Sequence, residues 1–201
     1  MSPRFGRNWE IEGQTVIDCV LTIDPRELNV YACEDTRIGR VGTSNFKQFN
    51  MNPLAETFHI NNNINLYLLD AIAEEHLKDQ SASKGRNVGE QFAHIHNVRL
   101  MWLQVADASL MKGLEKIEKE KGISKSILKK SLEASAKSIE SLLENSNGKV
   151  KGFKPHATAF LGYLLAHEGH HRGQILLCLK QSGHMVDKKI QFGIWEWGSR
   201  Q

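Results

Sequence analysis

The chain has 201 residues, of which 40% are apolar and 24% charged, with 26 basic side chains against 23 acidic ones. Such a chain is long enough to bury a sizeable core, and its composition is that of a soluble globular protein. A formal net charge of +3 is too small to indicate nucleic acid binding. No apolar run reaches the roughly 20 residues that a membrane-spanning helix needs. Three cysteines without paired spacing, and no basic-then-apolar leader, favour a reducing cytoplasm.

The first part of the chain, residues 1–50, predicts a short β-hairpin-like extension. Apolar and polar residues alternate with a period of two from Gln14 to Ile23, which is typical of a strand. Asp24 to Glu27 supplies turn residues, and the β-prone run from Leu28 to Cys33 could close a hairpin. Because a lone hairpin is marginal in water, we expect this extension to pack on the body formed by residues 51–201.

That body predicts helices, and the first two have clear starts. Asn52 followed by Pro53 is a typical helix beginning, and apolar residues recur at helical spacing through residue 73. Asn87 with Glu90 three residues later forms a capping box for the second helix. The core-facing side of the first helix also contains the asparagines at positions 61 and 65. These need partners, either in a polar pocket or from neighbouring backbone and water.

Two further helices and an aromatic tail complete the predicted body. Ser124 can cap a third helix, whose predicted buried side consists of Ile127, Leu128, Leu132, Ile139, Leu142 and Leu143. Pro155 opens a fourth helix that stops near Gly183, and its apolar stripe contains Phe160, Leu161, Leu164, His167, His171, Ile175, Cys178 and Leu179. The tail from Ile190 to Trp197 is expected to pack back over the helices. The sequence therefore predicts a mainly α fold, a four-helix bundle with a long connection between its second and third helices.

The fourth helix contains the motif from His167 to Gln174, with three histidines, one carboxylate and two glycines. Residues four apart share a helix face, so His167 and His171 can bind one metal ion. The same letters match the zinc protease pattern in which the intervening Glu168 is a general base.

Three other residues of the motif have structural interpretations. Glu168 and Arg172 are four residues apart, and a salt bridge between them on the outer flank of the helix would account for both. Gly173 indicates the close approach of another helix, while His170 could stand at the edge of a pocket.

A third ligand is predicted on the second helix. His94 shares a stripe with Val98, Met101 and Val105, so it is turned towards the interior. His96 points away from it by roughly 200° and is the competing candidate if the helical register differs. An inward histidine is in general more often a satisfied core residue than a ligand.

The motif, preceded by Gly162-Tyr163-Leu164-Leu165 and followed by Ile175-Leu176, resembles the signature of the DinB/YfiT-like metal-binding proteins. The second helix, from Asn87 to Ile95, resembles the setting in which that family places another histidine. The resemblance extends over residues 52–197 and does not include the segment before it. It implies a four-helix bundle in which His94, His167 and His171 hold a divalent metal ion such as zinc, nickel or iron.

The resemblance also implies several functions. The first is a metal-dependent enzyme, a thiol-dependent S-transferase or a hydrolase, that uses metal-bound thiolate or water on a small thiol or an electrophilic small molecule. No catalytic residue is assigned beyond the metal centre, although Glu168 and His170 are candidates. The second is a non-catalytic metal-binding protein induced by stress or DNA damage. The H-E-x-x-H pattern at His167 to His171, and not the resemblance, suggests a third function, a zinc protease led by Glu168. It ranks last, because a mostly helical pattern offers no sheet edge for an extended peptide. Members of the family are often dimers, so a homodimer is also expected.

Overall fold

The structure is a computed structural model that describes residues 10–11, 14–15, 52–118 and 122–201. The chain divides into two units, Met1–Phe49 and Asn50–Gln201. Each unit is described by itself below.

The first unit contains a two-stranded antiparallel sheet. Strand β1 (Glu10–Ile11) pairs with strand β2 (Gln14–Thr15). Strand β2 occupies the first two residues of the strand predicted from Gln14 to Ile23. The rest of that strand, the turn at Asp24 to Glu27 and the run from Leu28 to Cys33 lie outside the described residues.

The second unit is mainly helical, as predicted. Its helices are α1 (Pro53–Asp70), α2 (Val88–Ala106), α3 (Lys125–Glu144), α4 (Ala157–Gln181) and the short α5 (Lys188–Gly193). Single 3-10 turns occupy Glu74–Lys78, Ala108–Met111 and Trp197–Ser199. In the part of the chain that the structure describes, no helix is both long and apolar enough to cross a membrane.

Local capping chemistry determines where the long helices begin. Asn52 caps α1, and Ser124 caps α3, each through its side-chain oxygen. The capping box predicted for α2 is complete: the backbone N–H of Glu90 donates to the Asn87 side chain at 2.9 Å, and that of Asn87 donates to the Glu90 carboxylate at 3.1 Å. Helix α4 begins two residues after the predicted start at Pro155, because His156 is its cap and accepts from the backbone N–H of Ala159 at 3.1 Å.

The four long helices form one bundle. The amino-terminal halves of α1 and α4 share an apolar cluster with the carboxyl-terminal halves of α2 and α3. Helices α1 and α4 therefore run in one direction, and α2 and α3 run in the other. The long connection from α2 to α3 is what allows these two consecutive helices to be parallel.

The core of the bundle has two apolar halves with polar side chains between them. One half contains Phe92, Leu128 and Ile175, and the other contains Phe58, Ile139 and Phe160. Arg99, Ser135 and Glu168 each fall between the positions that their helix contributes to the two halves, and Asn61 and Asn62 do so on α1, where Asn65 follows one turn later. We call this set the polar layer, and it consists of Asn61, Asn62, Asn65, Arg99, Ser135 and Glu168.

Three residues predicted to be buried are exposed. Met101 is 51% exposed, Val105 is 47% exposed, and Ile127 is 45% exposed. Each lies at the margin of its helix's apolar stripe. Periodicity identifies the apolar side of a helix, but it does not give the width of the surface that neighbouring helices cover.

The aromatic tail packs on the bundle, as predicted. Ile194 is buried in the apolar core, and Trp197 packs against the same cluster. The Asn63 side chain donates to the backbone carbonyl of Arg200 at 2.9 Å, which fixes the end of the tail to α1. Trp195, in contrast, is 75% exposed.

The capping box of α2 gives a direct test of the local basis of the fold. Replacing the cap, Asn87→Ala, is expected to lower the free energy of unfolding by about 1 kcal/mol, because the backbone N–H of Glu90 loses its acceptor. Urea denaturation measures the change. Gln104→Ala, at an exposed site on the same helix, is the control and should change stability by less than about 0.5 kcal/mol. Equal effects of the two substitutions would contradict a role for the cap.

Candidate metal centre

The centre of the bundle is organised by a buried ion pair between α2 and α4. Glu168 and Arg99 are both fully buried. The Arg99 Nε donates to Glu168 Oε1 at 2.7 Å, and Arg99 Nη2 donates to Glu168 Oε2 at 2.8 Å. This bidentate arrangement is the strongest geometry available to a guanidinium and a carboxylate.

Hydrogen bonds from the other helices satisfy the rest of the pair. On the arginine, Nη1 donates to Asn62 Oδ1 at 2.9 Å and to the backbone carbonyl of Leu132 at 3.0 Å. On the glutamate, Oε2 accepts from the Asn61 and Asn65 side chains at 2.7 and 2.6 Å. The polar layer therefore joins all four helices, and no buried charge in it lacks a partner.

The predicted salt bridge between Glu168 and Arg172 on the outer flank is wrong. Glu168 faces the interior, and its direct basic partner is Arg99. Arg172 Nη1 instead donates to the side-chain oxygens of Asn61 and Asn65 at 3.0 and 2.7 Å. The two asparagines thus bridge the carboxylate and the second arginine, and these side chains are the partners that their core-facing positions require.

Burial also removes Glu168 from the role of a general base. Burial by itself raises the pKa of a carboxyl, but the charge and hydrogen bonds of Arg99 outweigh it and hold the pKa of Glu168 below its usual value. Both of its oxygens accept hydrogen bonds from neighbouring side chains. The carboxylate is therefore a structural group, and the protease interpretation loses its catalytic residue.

Three histidines converge beside the polar layer. One ligand nitrogen from each of His94, His167 and His171 can be chosen so that all lie within 4.8 Å of one another. The ring of His94 is 4.7 Å from that of His171 and 5.4 Å from that of His167, measured between centroids. The structure thus brings together the three residues that the sequence singled out as metal ligands.

Gln91 orients one of these rings. Its side-chain nitrogen donates to the backbone carbonyl of Arg86 at 3.4 Å, so its side-chain oxygen is free to accept from His171 Nδ1, 2.6 Å away. The Nδ1 of His171 therefore carries the proton, and its Nε2, which lies 3.1 Å from His167 Nε2, carries the lone pair. This is the arrangement by which an outer partner fixes the tautomer of a metal-binding histidine.

The surroundings favour uncharged imidazoles. Burial lowers the pKa of His94 to about 4, with a further contribution from the Arg86 charge. Burial lowers the pKa of His171 to about 3, assisted by the neighbouring His167 and His94. Burial also lowers the pKa of His167. Near neutral pH all three side chains are therefore neutral, which is the form that donates a lone pair to a metal.

The two other histidines of these helices lie elsewhere. His96 is buried on another side of α2, where its Nε2 is 2.9 Å from the backbone carbonyl of Glu115. It is a core residue rather than a member of the cluster. His170 is exposed, with its ring centroid 5.2 Å from that of His171. The expected close approach at Gly173 is also wrong, because no described atom lies within 4 Å of the position its Cβ would take.

Two cavities meet at His94. One, of about 310 Å³, is lined by charged side chains that include Arg86, Glu90 and Lys116. The other, of about 450 Å³, is largely apolar and includes Val98 and Met101. A small molecule with a charged part and an apolar part could reach His94 from this side.

The three-histidine cluster fits a divalent metal ion. Two nitrogens bound to one tetrahedral ion at about 2.1 Å are about 3.4 Å apart. The Nε2 atoms of His167 and His171 are 3.1 Å apart, close to that separation. The donor set is three neutral imidazoles, which zinc, nickel and iron all accept. Geometry and donor chemistry thus agree with the ion that the fold implies.

Fold and site together define a helical bundle with a three-histidine cluster between facing helices, a class that builds metal sites in its interior. The chain belongs to the DinB family, whose sequence model matches residues 46–189. The match includes the three histidines and the whole of α1 to α4. Comparison with curated proteins and comparison with solved structures each give no significant match.

Sequence reasoning missed three side chains that shape the site. Gln91 precedes His94 by three residues, a spacing that puts both on one helix face and could have indicated it. Arg99 stands within an apolar helix, where a charge needs a buried partner. Tyr163 stacks on His167, with ring centroids 5.9 Å apart, and its position one turn earlier on α4 was a usable signal.

The buried ion pair predicts a characteristic pattern of stability changes. Glu168→Gln is expected to reduce the free energy of unfolding by about 3–5 kcal/mol, because it leaves the Arg99 charge buried without its counter-ion. The double substitution Arg99→Met/Glu168→Gln should lose less than the sum of the two single changes, since neither charge remains. Urea denaturation of the four proteins gives the coupling energy. Additive losses would show that the two side chains do not stabilise each other.

Proposed function

We propose that the protein is a divalent-metal-dependent enzyme acting on a small thiol or an electrophilic small molecule, as a transferase or a hydrolase. The observation that carries the proposal is the convergence of three neutral histidines, one of which, His94, lines two cavities. A site of three imidazoles leaves a tetrahedral ion one position for substrate, which is typical of catalytic rather than structural sites. Membership of the DinB family supports the metal but does not identify the reaction.

In this proposal, His94, His167 and His171 hold zinc, nickel or iron. When bound, such an ion supplies Lewis acidity towards a water molecule or a thiol. The chain's own residues do the remaining work. Gln91 holds His171 in the tautomer whose Nε2 faces the site. The ring of Tyr163 lies nearly parallel to that of His167, with centroids 5.9 Å apart, and helps to orient it.

The cavities define the kind of substrate. The polar cavity carries charges of both signs, from Arg86 and Lys116 and from Glu90 and Glu118, which suits a polar or charged part of a substrate. Val98 and Met101 offer an apolar surface on the other side of His94. The long, flexible methionine side chain can adapt to substrates of different shape. An amphipathic small molecule therefore fits better than an extended polymer.

One observation favours the second candidate, a metal-binding protein without turnover. Glu168, the carboxylate that follows His167 in the chain, is fully buried in the polar layer and cannot exchange protons with a substrate. A transferase can work without such a base if the thiol loses its proton to solvent water on binding, whereas a hydrolase has a greater need for one. Activity measurements therefore separate the candidates better than binding measurements.

Metal content tests the site itself. The triple variant H94A/H167A/H171A, purified without metal affinity, is expected to contain one metal ion per chain fewer than the unmodified protein by elemental analysis. A chelator should also lower the melting temperature of the triple variant less than that of the unmodified protein. The reason is that a ligand that binds only the folded state stabilises that state by about 2.7 kcal/mol at 100 times its Kd. His59→Ala is the control, since His59 pairs with Glu140 away from the cluster. Unchanged metal in the triple variant would exclude the site.

Turnover tests the proposed chemistry. Glutathione, cysteine and coenzyme A, each offered with the electrophile monochlorobimane, should give a metal-dependent fluorescent conjugate. The rate is expected to fall at least a hundredfold in H94A/H167A/H171A, because loss of Lewis acidity removes several kcal/mol of transition-state stabilisation. His59→Ala should retain the full rate. Bound metal with no activity towards thiols or hydrolysable esters would favour the non-catalytic candidate.

A further inference from the structure

A second group of metal-binding side chains lies outside the three-histidine cluster. His76, Asp79 and His184 each offer a ligand atom, and the three atoms lie within 4.8 Å of one another. His76 belongs to the 3-10 turn Glu74–Lys78, and Asp79 follows it directly. His184 follows the end of α4. None of these residues takes part in the polar layer or in the cavities beside His94.

The two imidazoles converge on one carboxylate oxygen. The Nδ1 of His184 is 2.7 Å from Asp79 Oδ2, and the Nδ1 of His76 is 3.6 Å from the same atom. The ligands of one tetrahedral ion at about 2.1 Å are about 3.4 Å apart. The separation from His76 is close to that value, whereas the contact with His184 is a hydrogen bond that a bound ion would replace. The rings are stacked with centroids 3.7 Å apart and planes 23° apart. Both nitrogens therefore approach the carboxylate from the same side.

Backbone hydrogen bonds hold the three residues in place. The carbonyl of Asp79 accepts from the backbone N–H of Val88 at 3.0 Å, which fixes it to the start of α2. Gly183, in a left-handed conformation with φ of 82°, ends α4 and lets the backbone N–H of His184 donate to Leu179 at 2.9 Å. The side chain of Asp79 is only 10% exposed, so its rotamer is also restricted. A metal ion would meet donors whose backbone is already ordered.

Two more contacts join the same segments. The backbone N–H of Ala82 donates to the Gln181 side chain at 2.7 Å, and the Ser182 hydroxyl donates to the carbonyl of Gln80 at 3.4 Å. The end of α4 and the segment before α2 are therefore adjacent independently of any ion. Because ordering is in place before binding, less conformational entropy is lost when a metal joins the two histidines.

We propose that His76, Asp79 and His184 form a second metal site, which takes a divalent transition ion such as zinc and fastens the end of α4 to the segment before α2. Two imidazoles and one carboxylate are a donor set that suits zinc and similar ions. The site is structural, because it joins two segments and lies apart from the cavities at His94. It does not rest on the proposed function of the three-histidine cluster.

Zinc titration of the purified protein against the chromophoric chelator 4-(2-pyridylazo)resorcinol tests the proposal. The unmodified chain is expected to bind two zinc ions. The variants H76A/H184A and H94A/H167A/H171A should each bind one, and the fivefold variant, which carries all five substitutions, should bind none. Zinc should also raise the melting temperature of H94A/H167A/H171A but not that of the fivefold variant. His59→Ala, which removes another histidine beside a carboxylate, is the matched control and should bind as the unmodified chain does.

The outcomes for the two sites can be told apart. If H76A/H184A binds as many zinc ions as the unmodified chain, the second site is overturned whatever the triple variant does. If H94A/H167A/H171A binds as many zinc ions as the unmodified chain and H76A/H184A binds fewer, the three-histidine centre fails and the second site stands. An equal loss in His59→Ala would mean general surface binding and would also overturn the proposal.

A further variant, Asp79→Asn, tests the second site even if H76A/H184A fails to fold. It keeps the shape of the side chain and an acceptor oxygen but removes the negative charge. We expect the Kd of the second zinc ion to rise at least tenfold, because losing a ligand costs no less than losing an outer-shell partner, which costs about 10–100-fold. An unchanged Kd, with circular dichroism that matches the unmodified protein, would rule out the carboxylate as a ligand and with it the site.

Discussion

The pair formed by Arg99 and Glu168 constrains the interior of this bundle more than any apolar contact does. Two opposite charges removed from water are tolerated only when their remaining donors and acceptors are also satisfied. The guanidinium meets that condition with Asn62 and Leu132, and the carboxylate meets it with two further asparagines of α1. Apolar side chains can slide past one another at small cost, whereas this set of directed bonds has one arrangement. The polar layer therefore fixes the relative rotation and height of all four helices.

That constraint extends directly to the candidate metal centre. Glu168 is next to His167 and three residues before His171, so its inward position determines where on α4 both imidazoles are presented. Arg99 does the same for α2, five residues after His94. The polar layer thus works as the support of the site, and the histidines lie beside it, with His94 lining two cavities. The carboxylate of Glu168, which the zinc protease pattern would use as a general base, here stabilises the packing of the helices.

Helix α4 connects the three-histidine cluster with the group formed by His76, Asp79 and His184. It carries His167 and His171 near its middle, and His184 follows its end. Helix α2 links the two groups in a similar way. It carries His94, and its first residue, Val88, donates its backbone N–H to the carbonyl of Asp79. The same pair of helices is therefore held at its centre by the polar layer and at one end by the contacts between residues 79–82 and 181–184. An ion at that end would reinforce a junction that hydrogen bonds already define.

The sequence by itself determined the features whose causes are local. Side-chain caps at Asn52, Asn87 and Ser124 fixed three helix starts, and the apolar stripe of α4 was correct because a regular helix imposes a period on its own residues. The grouping of His167 and His171 followed from the same period. The partner of Glu168, 69 residues away in the chain, could not be read in this way. Which charge a buried carboxylate meets depends on how the helices pack, so only the tertiary structure decided the partner of Glu168. The exposure of Met101 was decided in the same way, by how much of α2 its neighbours cover.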